Sequence, residues 1–110
     1  MSLYLVRGRL STDAMKGLIA KPEDRTAVVR SALEAAGVKL HQLWYSAANG
    51  EVIAVYEAAT PVPIWSYSAM VFTAGVVDSG GVEELMTPAQ FTEAMKGAGA
   101  LAGKYRPPGK

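Results

Sequence analysis

The segment that most narrows the fold is Glu51–Ala58, EVIAVYEA. Successive strand residues point to opposite faces, so Val52, Ala54 and Tyr56 share one side and Ile53 and Val55 the other. Both sides are apolar. A strand of this kind needs cover above and below, which places it in the middle of a sheet. Asn49–Gly50 stands immediately before it and is a hairpin signal, because a tight turn there needs positive φ, which Asn and Gly tolerate. Upstream, Val38–Ser46 is rich in β-branched and aromatic residues but also carries Lys39, His41 and Gln42, as an exposed edge strand does.

The other elements follow from the same reading. Leu3–Leu10 is a first strand. Ser11 is a good helix N-cap, with Asp13 in the first turn where the helix dipole favours an anion. Met15, Leu18 and Ile19 give a short apolar stripe, which Lys21–Pro22 interrupts. Pro22 suits the first position of a second helix, whose Val28, Val29, Ala32, Leu33 and Ala36 fall at helical spacing, and Gly37 is its natural stop. Pro61–Gly75 is a helix with its prolines at the entry, and Val76–Met86 a fourth strand with Ser79–Gly80–Gly81 as the expected bulge or loop. Thr87-Pro-Ala-Gln90 is a capping box that opens a last helix. Its stripe is Phe91, Ala94, Met95 and Ala98.

The order β-α-β-β-α-β plus a C-terminal helix is the ferredoxin-like split βαβ arrangement, an α+β fold with a four-stranded antiparallel sheet. Its first and third strands are central. The helices cover one face of the sheet, and a bare apolar face is rare on a soluble monomer. The expected cover is a second copy related by a two-fold axis, with Ile53, Val55 and Leu43 as candidate interface residues. The helix Val62–Ala74 carries no charge, and Ile64, Trp65, Tyr67, Met70, Val71 and Phe72 surround it too widely for one wet side. It too points to a homodimer or higher homo-oligomer.

With 110 residues the chain reads as one domain over 1–103, followed by a flexible basic tail at 104–110. A net charge of +1 gives no electrostatic reason to expect a nucleic acid or anionic membrane as partner. There is no cysteine, which excludes disulfides, thiolate metal sites and cysteine nucleophiles. The N-terminus lacks a signal-peptide pattern. Ala58–Val77 is free of charge, but its prolines and hydroxyl residues argue against a membrane span. The reading is a cytoplasmic protein.

Four stretches resemble the GYD-domain family of small, mostly bacterial proteins. They are YLVRGRLST at the first strand, GVKLHQLWYS at the second, VIAVYEA at the third and LMTPAQFTEAM at the last strand and helix start. The resemblance spans roughly Leu3 to Met95 and implies a ferredoxin-like fold of the dimeric α/β-barrel group. It supplies fold and assembly, not chemistry. With VIAVYEA setting the register, the family's Gly-Tyr-Asp signature falls on Ala48 (or Asn49), Gly50 and Glu51. The acid survives as Glu51 and the tyrosine is absent.

No strong catalytic motif is present. The one histidine, His41, has no acid placed by spacing to orient it, and no cluster of metal ligands accompanies it. No cofactor and no metal are expected. Strict alternation puts His41, Leu43 and Tyr45 on one side of the second strand. A polar triad of Arg7, His41 and Glu57 on one sheet face would offer a proton-transfer group and an oxyanion partner. The plainer readings are a solvated His41 and an Arg7–Glu57 ion pair at an interface. Tyr45, Trp65 and Tyr67 are candidates for a ligand pocket, with a core or dimer role as the plainer alternative. Two functions stay open. One is a non-catalytic homo-oligomeric module that binds a small apolar or aromatic metabolite. The other is a cofactor-independent monooxygenase-, isomerase- or dehydratase-like enzyme using His41.

Overall fold

The computed structural model describes residues 1–110. The chain runs β1 (Ser2–Leu10), α1 (Thr12–Ala20), α2 (Thr26–Ala35), β2 (Lys39–Tyr45), β3 (Glu51–Ala58), α3 (Val62–Thr73), β4 (Val77–Leu85) and α4 (Pro88–Leu101). A short 3-10 turn, Ala102–Lys104, follows. The strands form one antiparallel sheet in the order β2-β3-β1-β4. This is the ferredoxin-like α+β topology, with β1 and β3 in the centre as their sequences require.

Helices α1, α2 and α3 lie on one face. The core there joins Tyr4, Leu40, Ala54, Tyr56 and Ala58 of the sheet to Leu33 of α2 and Ile64 of α3, closed by Val38. Leu33, Ala58 and Ile64 are wholly inaccessible. The opposite, outer face is lined by Leu3, Leu5, Arg7 and Arg9 of β1 and by Glu51, Ile53, Val55 and Glu57 of β3. No helix covers it.

Capping chemistry acts as the sequence indicates. The Ser11 side chain accepts from the Ala14 amide at 3.0 Å and donates to the Gly75 carbonyl, while its own amide donates to the Val76 carbonyl at 2.9 Å. One residue thus starts α1 and ties it to the entry of β4. Thr87 and Gln90 form a reciprocal capping box at the start of α4.

Three local expectations need correction. The second helix begins at Thr26, not at Pro22, because Asp24 accepts from the Thr26 amide and hydroxyl and holds the chain in a turn first. The hairpin tip is the wider loop Ser46–Gly50, closed by the Gly50 amide on the Ser46 carbonyl, and only Gly50 adopts positive φ. In the β1–β4 ladder the glycines pair normally, Gly80 with Gly8 and Gly81 with Arg7; the register shift falls where Leu10 meets Val77. A Cβ on Gly80 would run into the Arg7 carbonyl, so glycine is required there for close approach, not for a loop.

The packed body ends at Leu85. Every residue from Met86 to Lys110 is exposed, including Phe91, Met95 and Leu101 on α4. The single unit expected over 1–103 is therefore a compact body with a projecting helix. The radius of gyration is 18.2 Å and the extents are 60 × 32 × 22 Å, where a compact chain of this length has a radius of about 13 Å.

Candidate functional site

Between the sheet and its helices lies a cavity of about 370 Å³. The sheet supplies its floor through Val6, Leu43, Val52 and Ala54; the roof comes from α1 and α3 through Ala14, Leu18, Trp65 and Phe72. It exists because small residues sit where a closed core would need large ones. Ala54, paired with Val6, lies on the floor, and Gly17 lies on α1 with nothing within 4 Å of the place its Cβ would take. Helix α1 consequently buries no residue of its own.

Five rings converge on this space: Tyr45, Tyr56, Trp65, Tyr67 and Phe72. Tyr56 and Tyr67 meet edge to face, with ring centroids 6.3 Å apart, the arrangement that aromatic quadrupoles favour. Burial pushes the Tyr56 phenol well above its ordinary range, and the neighbouring Tyr67 adds to the shift. Burial also raises Tyr67, opposed by the positive charge of Arg25. Both phenols are therefore neutral donors and acceptors near neutral pH. The chain linking α1 to α2 brings three charges to the cavity: Lys21, Glu23 and Arg25. Arg25 Nη1 donates to Glu23 Oε1 at 2.8 Å.

The pocket candidates Tyr45, Trp65 and Tyr67 thus come together in one cavity. Of the residues proposed for catalysis, Arg7 only borders it, and Glu57 and His41 lie away from it. A bulge in β2 is the reason: Leu40 pairs with Tyr56, Gln42 with Val55 and Leu43 with Ala54, so one extra residue enters between Leu40 and Gln42. The bulge ends strict alternation. His41 goes to the outer face and Tyr45 to the cavity, contrary to the expectation that they share a side. Leu43 also turns inward beside Ala54, away from Ile53 and Val55, and so cannot share their proposed interface.

On the outer face His41 Nε2 lies 2.6 Å from Glu57 Oε1. That hydrogen bond holds the Glu57 carboxyl below its ordinary range, with smaller help from the charges of His41 and Lys39. Arg7 borders the cavity, but its guanidinium is on the outer face, 3.9 Å from Glu51. Along β3, Ile53 and Val55 separate Glu51 from Glu57. The imagined Arg7–His41–Glu57 triad is two separate pairs at opposite ends of an apolar strip. No group of three or more His, Asp or Glu side chains converges to hold a metal. No helix is long and apolar enough to cross a membrane.

A family model described as the GYD domain matches residues 4–95. The chain belongs to the GYD-domain family. Its match covers the packed body of this GYD domain except the first two residues of β1 and stops within α4. No curated protein matches it. Among solved structures, this GYD domain is similar to protein Atu4242 from Agrobacterium tumefaciens, at 13% identity and a TM-score of 0.49, covering 83% of this chain and 96% of that one. It is also similar to a NIPSNAP family protein, Atu5224, from Agrobacterium tumefaciens strain C58, at 12% identity and a TM-score of 0.45, covering 76% of this chain and 90% of that one.

Sequence reasoning missed Lys21, Arg25 and Tyr56 as cavity residues. Tyr56 is legible in the sequence only as a strand residue on the same side as Val52 and Ala54. The charged run Lys21–Arg25 looked like an ordinary helix break. Its signal was the break itself, since a segment that interrupts a helical layer above a sheet leaves a gap for side chains to enter.

Proposed function

We propose that this protein is a homo-oligomeric module that binds a small apolar or aromatic molecule between its sheet and helices. The observation that carries this reading is the aromatic-lined cavity. Its volume, about 370 Å³, falls within the range of ligand sites, about 300–1,000 Å³, and most of its lining is apolar with a few polar groups. An enzyme using His41 has less support, because the sheet stands between His41 and the cavity. Pairing of two copies is supported by the uncovered outer face, where Leu5, Ile53 and Val55 stay half-exposed beside an exposed Trp44.

The test is a titration with neutral bicyclic aromatics, followed by the fluorescence of Trp65 and Trp44 and by calorimetry. Saturable binding is expected, and Val52→Trp, which fills the floor, should remove it while the variant still unfolds cooperatively. No saturation at millimolar ligand, or undiminished binding by the filled variant, would rule the reading out.

A further inference from the structure

Taking the cavity as a ligand site, we propose that its occupant is a monoanion with an aromatic body, an aromatic carboxylate, whose acid group sits against Arg25 and Lys21. The apolar floor and the rings account for the body of such a molecule; the charge follows from the groups at the α1–α2 connection. Four charged residues border the cavity: Arg7, Lys21, Glu23 and Arg25. Arg7 is engaged with Glu51 on the outer face. Glu23 is engaged with Arg25 through one guanidinium nitrogen, Nη1. A guanidinium has five N–H donors in a fork suited to carboxylates, so Arg25 keeps donors for a second anion. Lys21 forms none of the protein's salt bridges. Asp24, in the same connection, is turned to the Thr26 amide and hydroxyl and does not border the cavity; of the groups there that do, two are cations and one is an anion, which leaves room for one further negative charge.

The Arg25 charge reaches the interior as well as the rim. It acts on Tyr67, opposing the effect of burial on that phenol, and Tyr67 is in edge contact with the deeper Tyr56. A flat molecule between these rings and Trp65 would therefore carry its acid toward Arg25. A cationic ligand would meet two like charges, and a neutral one would leave their attraction unused.

Three probes of one shape separate the possibilities: 1-naphthoate, 1-naphthalenemethanol and 1-naphthalenemethylamine, titrated calorimetrically into the full chain at pH 7. The acid is expected to bind at least tenfold more tightly than the alcohol, since hydrogen bonds to charged groups are roughly twice as strong as neutral ones. The amine should be weakest. Lys21→Gln and Arg25→Gln should each bring the acid toward the alcohol, and a cooperative urea transition of each variant reports that it is folded. Glu23→Gln, which frees Arg25 Nη1, should tighten the acid alone. Equal binding of acid and alcohol, or a preference that survives the double variant Lys21→Gln/Arg25→Gln, would overturn the anion proposal while leaving the cavity as a ligand site. Binding of none of the three would remove the cavity reading and the proposal together.

Discussion

Leu33 and Ile64 have no accessible surface, and they join the two main helices to the sheet. Truncating Leu33→Ala should cost about 2–5 kcal/mol, the range for buried leucine, read from the shift in a urea unfolding midpoint. Ser11→Ala is expected to cost about 1–2 kcal/mol, because it removes both the cap on α1 and the bond to the Gly75 carbonyl. Ser11→Asp should recover the cap but not the donated bond. Glu57 gives a pH prediction. Its folded pKa lies below the ordinary 4.5, so the stabilisation is present above that value and lost as pH falls through the folded pKa. Carbon NMR should find the Glu57 carboxyl titrating below 4.5, and His41→Ala should return it toward that value. An unmoved titration in the variant would show that the His41 bond does not hold the carboxyl.

The β2 strand shows where sequence reasoning reached its limit. Its existence, its edge position and its aromatic content were all legible in residues 38–46. Its facing was not, because alternation assumes an unbroken ladder and nothing in Leu40-His-Gln-Leu43 announces an extra residue. A single inserted residue moved the histidine away from the tyrosines and overturned the catalytic grouping. The central strands were legible for the opposite reason. Val52, Ala54 and Tyr56 face a core while Ile53 and Val55 face outward, and a slip in either direction would bury Glu51 or Glu57. The cavity was illegible because it depends on what is missing at Gly17 and Ala54, and small residues read alike in a filled core and around a void. Deleting Gln42 should restore alternation in β2. His41 then pairs with Val55 and stays outward, while Leu43 and Tyr45 stay inward, so the expected result is a cooperatively folding chain that keeps the near-ultraviolet dichroism of the buried tyrosines; loss of that signal would show that the bulge itself is required.

Assembly concerns the molecule as a whole. If the outer face pairs two copies, Ile53→Lys/Val55→Lys should convert a dimer to a monomer in light scattering and leave the helix-covered core folded. A wild-type chain that is monomeric at micromolar concentration would exclude the pairing. The extended shape, 60 Å along its longest axis, also predicts sedimentation slower than that of a compact particle of equal mass, and the variant should keep that elongation. The source of the elongation is α4, which buries none of its residues. Its amides are therefore protected only by local helix–coil equilibrium, and an isolated helix of this length is marginal in water. Within one chain, hydrogen exchange should divide into two classes. The amides of β1 and β3 await global opening. Those of α4 in an isolated protomer exchange orders of magnitude sooner, so slow exchange there would be a direct signal that another surface has closed over it.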